Sequence, residues 1–398
     1  MSRSIFCRSL AICACVFVVE PSLAIAACTG TMVPTALLGN VSHSFNSVAM
    51  VSPTDIWAVG SVTQSNFGTA ATLAEHWDGA QWTVVPTPNA GQFTNNQLFG
   101  VAAVSTTDVW AVGQQIGQNG PEPSAMVVHW DGATWSQFPL PKIGVVSSLR
   151  AVAVVSSTDV WAAGYYYDST GAHALVELWN GSAWSVVPDP DTVTLSSISA
   201  TSATDAWATG NDIEHWNGST WQVVSTLPAR SISAVAPNDV WALVAGAQPI
   251  ERWNGKVWTS VPSPQNVTLN SIAARSGYNA WAVGHSNTGP AKSLTEHWNG
   301  SAWTVIPSPP GSGSAALNAV ALAGHFAAAV GFDTRGTPGE IEGLNELWNG
   351  SRWAEPADTY VGSNENVLSS VFATAPSSAW AVGHYQTSGL LGNGLLEH

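Results

Sequence analysis

Apolar residues in this chain recur in short runs bounded by turn residues, and the runs return in a fixed order. The first recurring run reads D-[VI]-W-A-V-G and lies around Trp57, Trp110, Trp161, Trp207, Trp241, Trp281 and Trp380, the last five sites varying slightly. A degenerate copy, Ala328-Ala329-Val330-Gly331, has lost its Trp. The second run reads E-H-W-[DN]-G-x-x-W-x-V-V-P-x-P, with Trp pairs at 77/82, 130/135, 179/184, 216/221, 253/258, 298/303 and 348/353. All 21 tryptophans belong to this pattern. Self-similarity at a period of roughly 35–50 residues marks a propeller, solenoid or array.

Each copy reads as four strands. In the first, strand a covers Ser47–Val51, b Asp55–Val62, c Thr72–Trp77 and d Gln81–Pro86. They are rich in Val, Trp and Thr, and no window keeps a 3.6-residue period, so helix is not expected. Asp-Gly or Asn-Gly separates c from d, and a Ser/Thr/Asp turn such as Ser52-Pro53-Thr54-Asp55 separates a from b. These two turns are short in every copy, whereas the b–c and d–a connections vary. In an antiparallel meander one end of the ring is then uniform and the other decorated, and variable loops on a rigid frame are where binding concentrates. Fourteen residues separate Gly60 from Glu75 but only three separate Gly210 from Glu214, so copies 4 and 5 should form a low notch in the decorated rim.

The expected fold is all-β: a propeller of four-stranded antiparallel blades, eight in number. The last copy stops at Glu397-His398, before its strand d. Thr31-Met32-Val33-Pro34-Thr35 matches Thr83-Val84-Val85-Pro86-Thr87, so the N-terminal strand is expected to complete the last blade.

The repeat resembles the Trp-rich propellers of secreted bacterial proteins and, more distantly, tectonin-type, kelch-type and sialidase-like propellers. It lacks the Gly-Gly doublet of kelch repeats, and its W-[DN]-G-x-x-W hairpin departs from the sialidase Asp-box. The resemblance covers about residues 31–398. It implies the fold; related propellers bind glycans, bind proteins or catalyse, so it does not choose among activities.

The leader changes the picture next. Arg3 and Arg8 precede an apolar run from Leu10 to Val19, followed by Ala24-Ile25-Ala26-Ala27-Cys28. This is the pattern of a secretory signal peptide, giving residues 1–27 as leader and 28–398 as a single propeller domain. The run is too short for a transmembrane segment. Ile25-Ala26-Ala27-Cys28 also resembles a lipobox, which would make Cys28 a lipid anchor. The expected location is the medium or the cell surface. Three of the four cysteines lie in the leader, so no internal disulfide is expected.

Removing Arg3, Arg8 and Glu20 leaves 9 basic against 25 acidic residues, a net charge of −16. Nucleic-acid affinity rests on Lys and Arg neutralising phosphates, so nucleic acid is excluded as a partner. Charged residues are only 9% of the chain, leaving a surface of Ser, Thr, Asn, Gln and Gly.

Glu75-His76, Glu214-His215, Glu296-His297 and Glu397-His398 invite a metal or acid–base reading. They recur once per copy at one strand position, so they are spread around the ring and mark scaffold. Residues outside the repeat are better ligand-binding candidates: Tyr165, Tyr166, Tyr167 and Asp168 at the third b–c connection, His285, Arg335, His384 and Tyr385. Arg150, Arg230 and Arg335 map to decorated-face loops of different copies and do not converge. Asp189-Pro190-Asp191 could offer oxygens to Ca²⁺ or simply form a Pro turn; no other cofactor is implied. No nucleophile motif or phosphate loop occurs, and no catalytic residue is assigned. The expected function is non-catalytic recognition of a glycan or an extracellular protein by the decorated face. A sialidase-like polysaccharide hydrolase or lyase, and a plain scaffold, are the alternatives.

Overall fold

Alternating Val, Ala and Trp, punctuated by Gly, gives strands, and every regular element among the described residues is one. The computed structural model describes residues 42–397 apart from 65–68, 90–94, 117–121, 190–193, 247–248, 265, 310–312, 335–339, 357–364, 376–377 and 387–391. The leader, Cys28 and residues 31–35 therefore lie outside the described residues. In the first repeat the four strands are Ser42–Ser52, Asp55–Gln64, Thr69–Trp77 and Trp82–Val84, hydrogen-bonded in sequence order.

Among the described residues seven sheets have this four-stranded order, giving seven such blades rather than the eight expected from counting repeats. The last repeat forms a sheet of three strands among the described residues, Glu365–Ala375, Ser378–Gln386 and Gly392–Glu397. Blades are numbered 1 to 7 in chain order below, with strand a innermost and d outermost.

The apolar core is divided into pads, one between each pair of neighbouring sheets. The pad between blades 3 and 4, for example, joins Trp161, Ala163, Val176 and Val187 to Leu195, Ile198, Ala206 and Trp221. Each pad is centred on a strand-b Trp that inserts beneath the next blade's Trp pair. Trp57 lies 4.8 Å from Trp130 and 5.1 Å from Trp135, ring centre to ring centre. The same triads form as Trp110 with Trp179 and Trp184, Trp161 with Trp216 and Trp221, and so on to Trp281 with Trp348 and Trp353. Trp380 of the three-stranded sheet meets Trp77 and Trp82 of blade 1 at 5.1 and 5.3 Å, which closes the ring by packing. Ala328 takes the Trp position facing the three-stranded sheet, and there the pad consists of Val330, Leu368 and Ala381 with Tyr385 against them.

The short turns share one end of the ring, as expected. A Cβ on Gly79 (φ +95°) would lie 2.8 Å from Thr54, so the c–d turn sits directly on the a–b turn of its own blade. The c–d loop has four residues: Trp77 pairs with Trp82, and Asp78 Oδ1 accepts the amides of Ala80 and Gln81 at 2.9 Å. Those amides hold the Asp78 carboxyl below its usual range.

Strand a carries a β-bulge in every sheet. The pairing skips one residue after a buried apolar one, leaving out Asn46, Phe99, Arg150, Ser196, Arg230, Asn270, Asn318 and Ser369. A bulge inserts an extra residue and re-aims its side chain. The backbone there runs so close to strand b that a Cβ on Gly60 would sit 1.9 Å from the Ser44 carbonyl oxygen, which explains the Gly of the W-A-V-G run.

Replacing Trp161 by Ala should cost about 3–5 kcal/mol, the usual loss for a large buried aromatic. Val305→Ala, at a site 45% exposed, should shift stability by under about 0.5 kcal/mol. Urea denaturation followed by tryptophan fluorescence checks both.

Candidate binding site

The Glu-His-Trp triplets resolve into structural latches. His76 Nε2 lies 2.8 Å from Asp55 Oδ1 and its ring stacks on Trp57 at 4.4 Å. His129 does the same with Asp108 and Trp110, and His215 with Asp205 and Trp207. Arg252 substitutes in blade 5: its Nε donates to Asp239 at 2.9 Å and its guanidinium lies 4.6 Å from the centre of the Trp241 ring. The chemistry of the buried groups follows from these partners. Burial opposes ionisation of Asp205, but hydrogen bonds from His215 and Thr201 outweigh it and lower its pKa. Leu178 replaces the His in blade 3, and burial there pushes Asp159 up. His297 faces Asn279 instead of Asp, and burial lowers its pKa.

The glutamate of each triplet points into a pad. Glu75, Glu177, Glu214, Glu296 and Glu346 are fully buried. Ser263 of blade 5 donates to Glu296 of blade 6 at 2.9 Å, yet burial still lifts that carboxyl to about 7. The residue of blade 2 corresponding to Ser263 is Leu140, which packs against the pad between blades 2 and 3. Glu177 therefore has no such hydroxyl, and burial raises it to about 8.

The third b–c hairpin stands out from the scaffold. Pairing runs from Val160↔Trp179 out to Asp168↔Gly171 in blade 3, but in blade 4 it stops at Thr209↔Ile213. Strand b of blade 3 thus runs about four residues, or roughly 13 Å, beyond that of its neighbour. Blade 5 is also low, its strand b ending at Val244. The notch expected from loop lengths is present.

Side chains alternate along that raised strand. Tyr166 lies against the pad between blades 2 and 3 and stacks on His173 at 4.8 Å. Tyr165 and Tyr167 share the opposite side, 5.5 Å apart and edge to face. That side faces blade 4, whose hairpin is too short to cover it, and Tyr167 is 42% exposed. The tip is tied by Asp168 Oδ1, which accepts the Thr170 amide at 2.7 Å and the Thr170 hydroxyl at 2.6 Å and lies 3.0 Å from His173 Nε2. Those bonds, led by the Thr170 hydroxyl, hold the Asp168 carboxyl down at about 2. Thr170 Oγ1 and Asp168 both contact Nε2 of His173. A proton relay needs the two partners on opposite ring nitrogens, so this trio braces the hairpin.

At the base of the wall, Arg150 Nη2 donates to Tyr165 Oη at 2.9 Å, and its guanidinium sits 4.1 Å from the centre of the Phe99 ring. Arg150 and Arg230 are bulge residues on innermost strands, not loop residues as expected from sequence. Sequence reading missed Phe99, Thr170 and His173; aligning strand a across repeats would have exposed Phe99 and both arginines in one variable column.

The other candidates do not join this site. His285 is the penultimate residue of strand b of blade 6, half-buried, with Nδ1 inside and unbonded. His384, in the three-stranded sheet, lies 3.9 Å from the Glu365 carboxylate, and Tyr385 packs on Val330, Leu368 and Ala381. Arg335 lies outside the described residues, as does Asp191 of the Asp189-Pro190-Asp191 turn. Among the described residues no group of three or more His, Cys, Asp or Glu is placed to hold a metal ion. Among the described residues there is no helix long and apolar enough to cross a membrane.

No family model matches the chain, and no curated protein matches its sequence. The resemblance to secreted bacterial propellers therefore rests on the repeat alone. Solved propellers are similar in fold. YCF48 from Cyanidioschyzon merolae is 14% identical with a TM-score of 0.50, covering 93% of this chain and 98% of that one. YCF48 bound to D1 peptide is 16% identical with a TM-score of 0.47, covering 79% and 94%. Virginiamycin B lyase from Staphylococcus aureus is 13% identical with a TM-score of 0.48, covering 75% and 94%.

A carboxyl raised in the folded state destabilises as it is forced to ionise. Glu177 should therefore leave stability intact below about pH 4.5 and reduce it progressively as pH rises towards 8, by on the order of 4 kcal/mol. Glu177→Gln should match the parent at pH 4.5 and melt higher at pH 8.5, as thermal denaturation across pH will show.

Proposed function

We propose that this chain is an exported binding propeller that recognises its ligand on the decorated face, in the notch beside blade 3. One observation carries the reading: Tyr165 and Tyr167 form a rigid aromatic wall on the side of blade 3 that blades 4 and 5 leave uncovered. The wall is an extended strand braced by Asp168, Thr170 and His173, so little conformational entropy remains to be lost on binding. Tyrosine presents a flat apolar ring with a polar tip, which suits the alternating apolar and hydroxyl faces of a sugar. A chain with only 9% charged residues and a surface rich in hydroxyl and amide side chains is consistent with a glycan ligand. Export is proposed from the leader pattern, which also allows an anchor at Cys28.

Purified protein should be tested in pull-down against insoluble polysaccharides and on a glycan array, with Tyr167→Ala in parallel. Tyr167 is exposed, so its removal should leave the melting temperature within about 1 °C. The expected result is binding that weakens roughly tenfold or more in the variant with no soluble sugar released. Release of sugar would establish a hydrolase or lyase instead, and retention by a protein fraction alone would establish a protein partner.

A further inference from the structure

Two departures from the scaffold meet at the inner edge of blade 3. In blades 1, 6 and 7 the bulge residue of strand a is Asn, and its Nδ2 donates to a carbonyl of the next innermost strand: Asn46 to Leu98 at 2.7 Å, Asn270 to Leu317 at 2.8 Å and Asn318 to Leu368 at 2.9 Å. Blades 2 and 3 place Phe99 and Arg150 at that position. Instead of bonding to the next strand, these two side chains meet each other, with the Arg150 guanidinium over the Phe99 ring and 4.1 Å from its centre. Ser196, Arg230 and Ser369 also stand in place of the Asn, but among the described residues no contact joins them to this pair.

Direct contacts continue from this pair to the aromatic wall. The same guanidinium lies 5.3 Å from the centre of the Tyr165 ring while Nη2 donates to the Tyr165 hydroxyl, and Tyr165 lies 5.5 Å from Tyr167. Phe99, Arg150 and Tyr165 are half-buried, and Tyr167 is exposed. The four side chains thus form one unbroken ladder from the rim of blade 3 to the innermost strands of blades 2 and 3. A guanidinium carries five N–H donors. One is spent on Tyr165, and among the described residues no carboxylate takes the others. The Tyr165 hydroxyl accepts from Arg150 and keeps its own hydrogen to donate. Two aromatic rings hold the guanidinium in place, so its free donors are oriented before a ligand arrives.

We infer that Phe99 and Arg150 form a second sugar subsite contiguous with Tyr165 and Tyr167, and that the ligand is a neutral oligosaccharide of at least two rings laid along this ladder. This deepens the binding reading above and rests on it. Fixed donors beside an aromatic surface match a sugar, whose hydroxyl and ring oxygens accept hydrogen bonds while its apolar face stacks. A polyanionic glycan is opposed by the chain's own charge, 11 basic against 26 acidic residues.

Calorimetry with the mono-, di- and tetrasaccharides of the cello, xylo and chito series separates the two subsites. At least one series should bind, its tetrasaccharide roughly tenfold or more tighter than its monosaccharide, and equally well in 0.5 M NaCl. Phe99→Ala and Arg150→Gln, each checked for an unchanged melting temperature, should both bring the tetrasaccharide down towards the affinity of the monosaccharide. Tyr167→Ala should weaken every length. Equal affinity for all lengths overturns the second subsite and leaves the wall as a sugar site. A length gain that survives in both Phe99→Ala and Arg150→Gln overturns its placement. A length gain lost in those two variants but untouched by Tyr167→Ala overturns the wall and keeps the subsite. Tetragalacturonate bound more tightly than every neutral tetrasaccharide overturns the neutral class, and binding of no saccharide overturns both readings.

Discussion

The insertion of one tryptophan beneath the tryptophan pair of the next sheet is the interaction on which the rest of this ring depends. Each repeat alone is a small antiparallel sheet with two apolar faces, and it cannot bury either of them by itself. The triad solves this by giving every sheet a plug on one side and a socket on the other. Trp57 fills the socket of blade 2 and Trp77 with Trp82 receives Trp380, so blade 1 is locked from both sides. The histidine latches follow from the same geometry. A ring stacked on the inner face of the Trp, with Asp at its other edge, satisfies polar atoms within reach of the pad without opening it.

Because the plugs and sockets carry the fold, positions outside them are released. The b–c hairpins can lengthen or shorten without disturbing a pad, and blades 3 and 4 use that freedom in opposite directions. The bulge column is a second released position. Where it keeps Asn it stitches neighbouring innermost strands together, and inner-strand serines such as Ser47, Ser231 and Ser271 add similar bonds to backbone amides of the next sheet. Those serine bonds leave the ring less dependent on any one Asn, so an arc of the column can carry aromatic and cationic residues instead.

Exceptions in the repeat are informative in the same terms. Ala328 replaces a plug, and the pad beside it is built from Val330, Leu368 and Ala381 instead of a Trp triad. Leu178 replaces a latch His, and at Asp159 burial outweighs the hydrogen bond from Trp161. Leu140 stands where a hydroxyl would serve the buried glutamate of the next blade. Each exception changes one contact between sheets and leaves the strand pattern intact.

The strands, the meander order, the uniform and decorated ends and the low rim at repeats 4 and 5 were legible in the sequence, because they depend on local periodicity, turn chemistry and loop length. Repeat counting overstated the four-stranded blades, since a repeat signature is carried by strands b and c while a full blade also needs a paired strand d. The sequence also offered Tyr165, Tyr166 and Tyr167 as one cluster and treated Arg150 and Arg230 as scattered loop residues. Only tertiary structure split the tyrosines between two faces of one strand and placed the two arginines at bulges of innermost strands, in blades 3 and 5. The physical reason is that a side chain's face depends on bulges and strand register, and its neighbours depend on closure of the ring, neither of which any single repeat encodes.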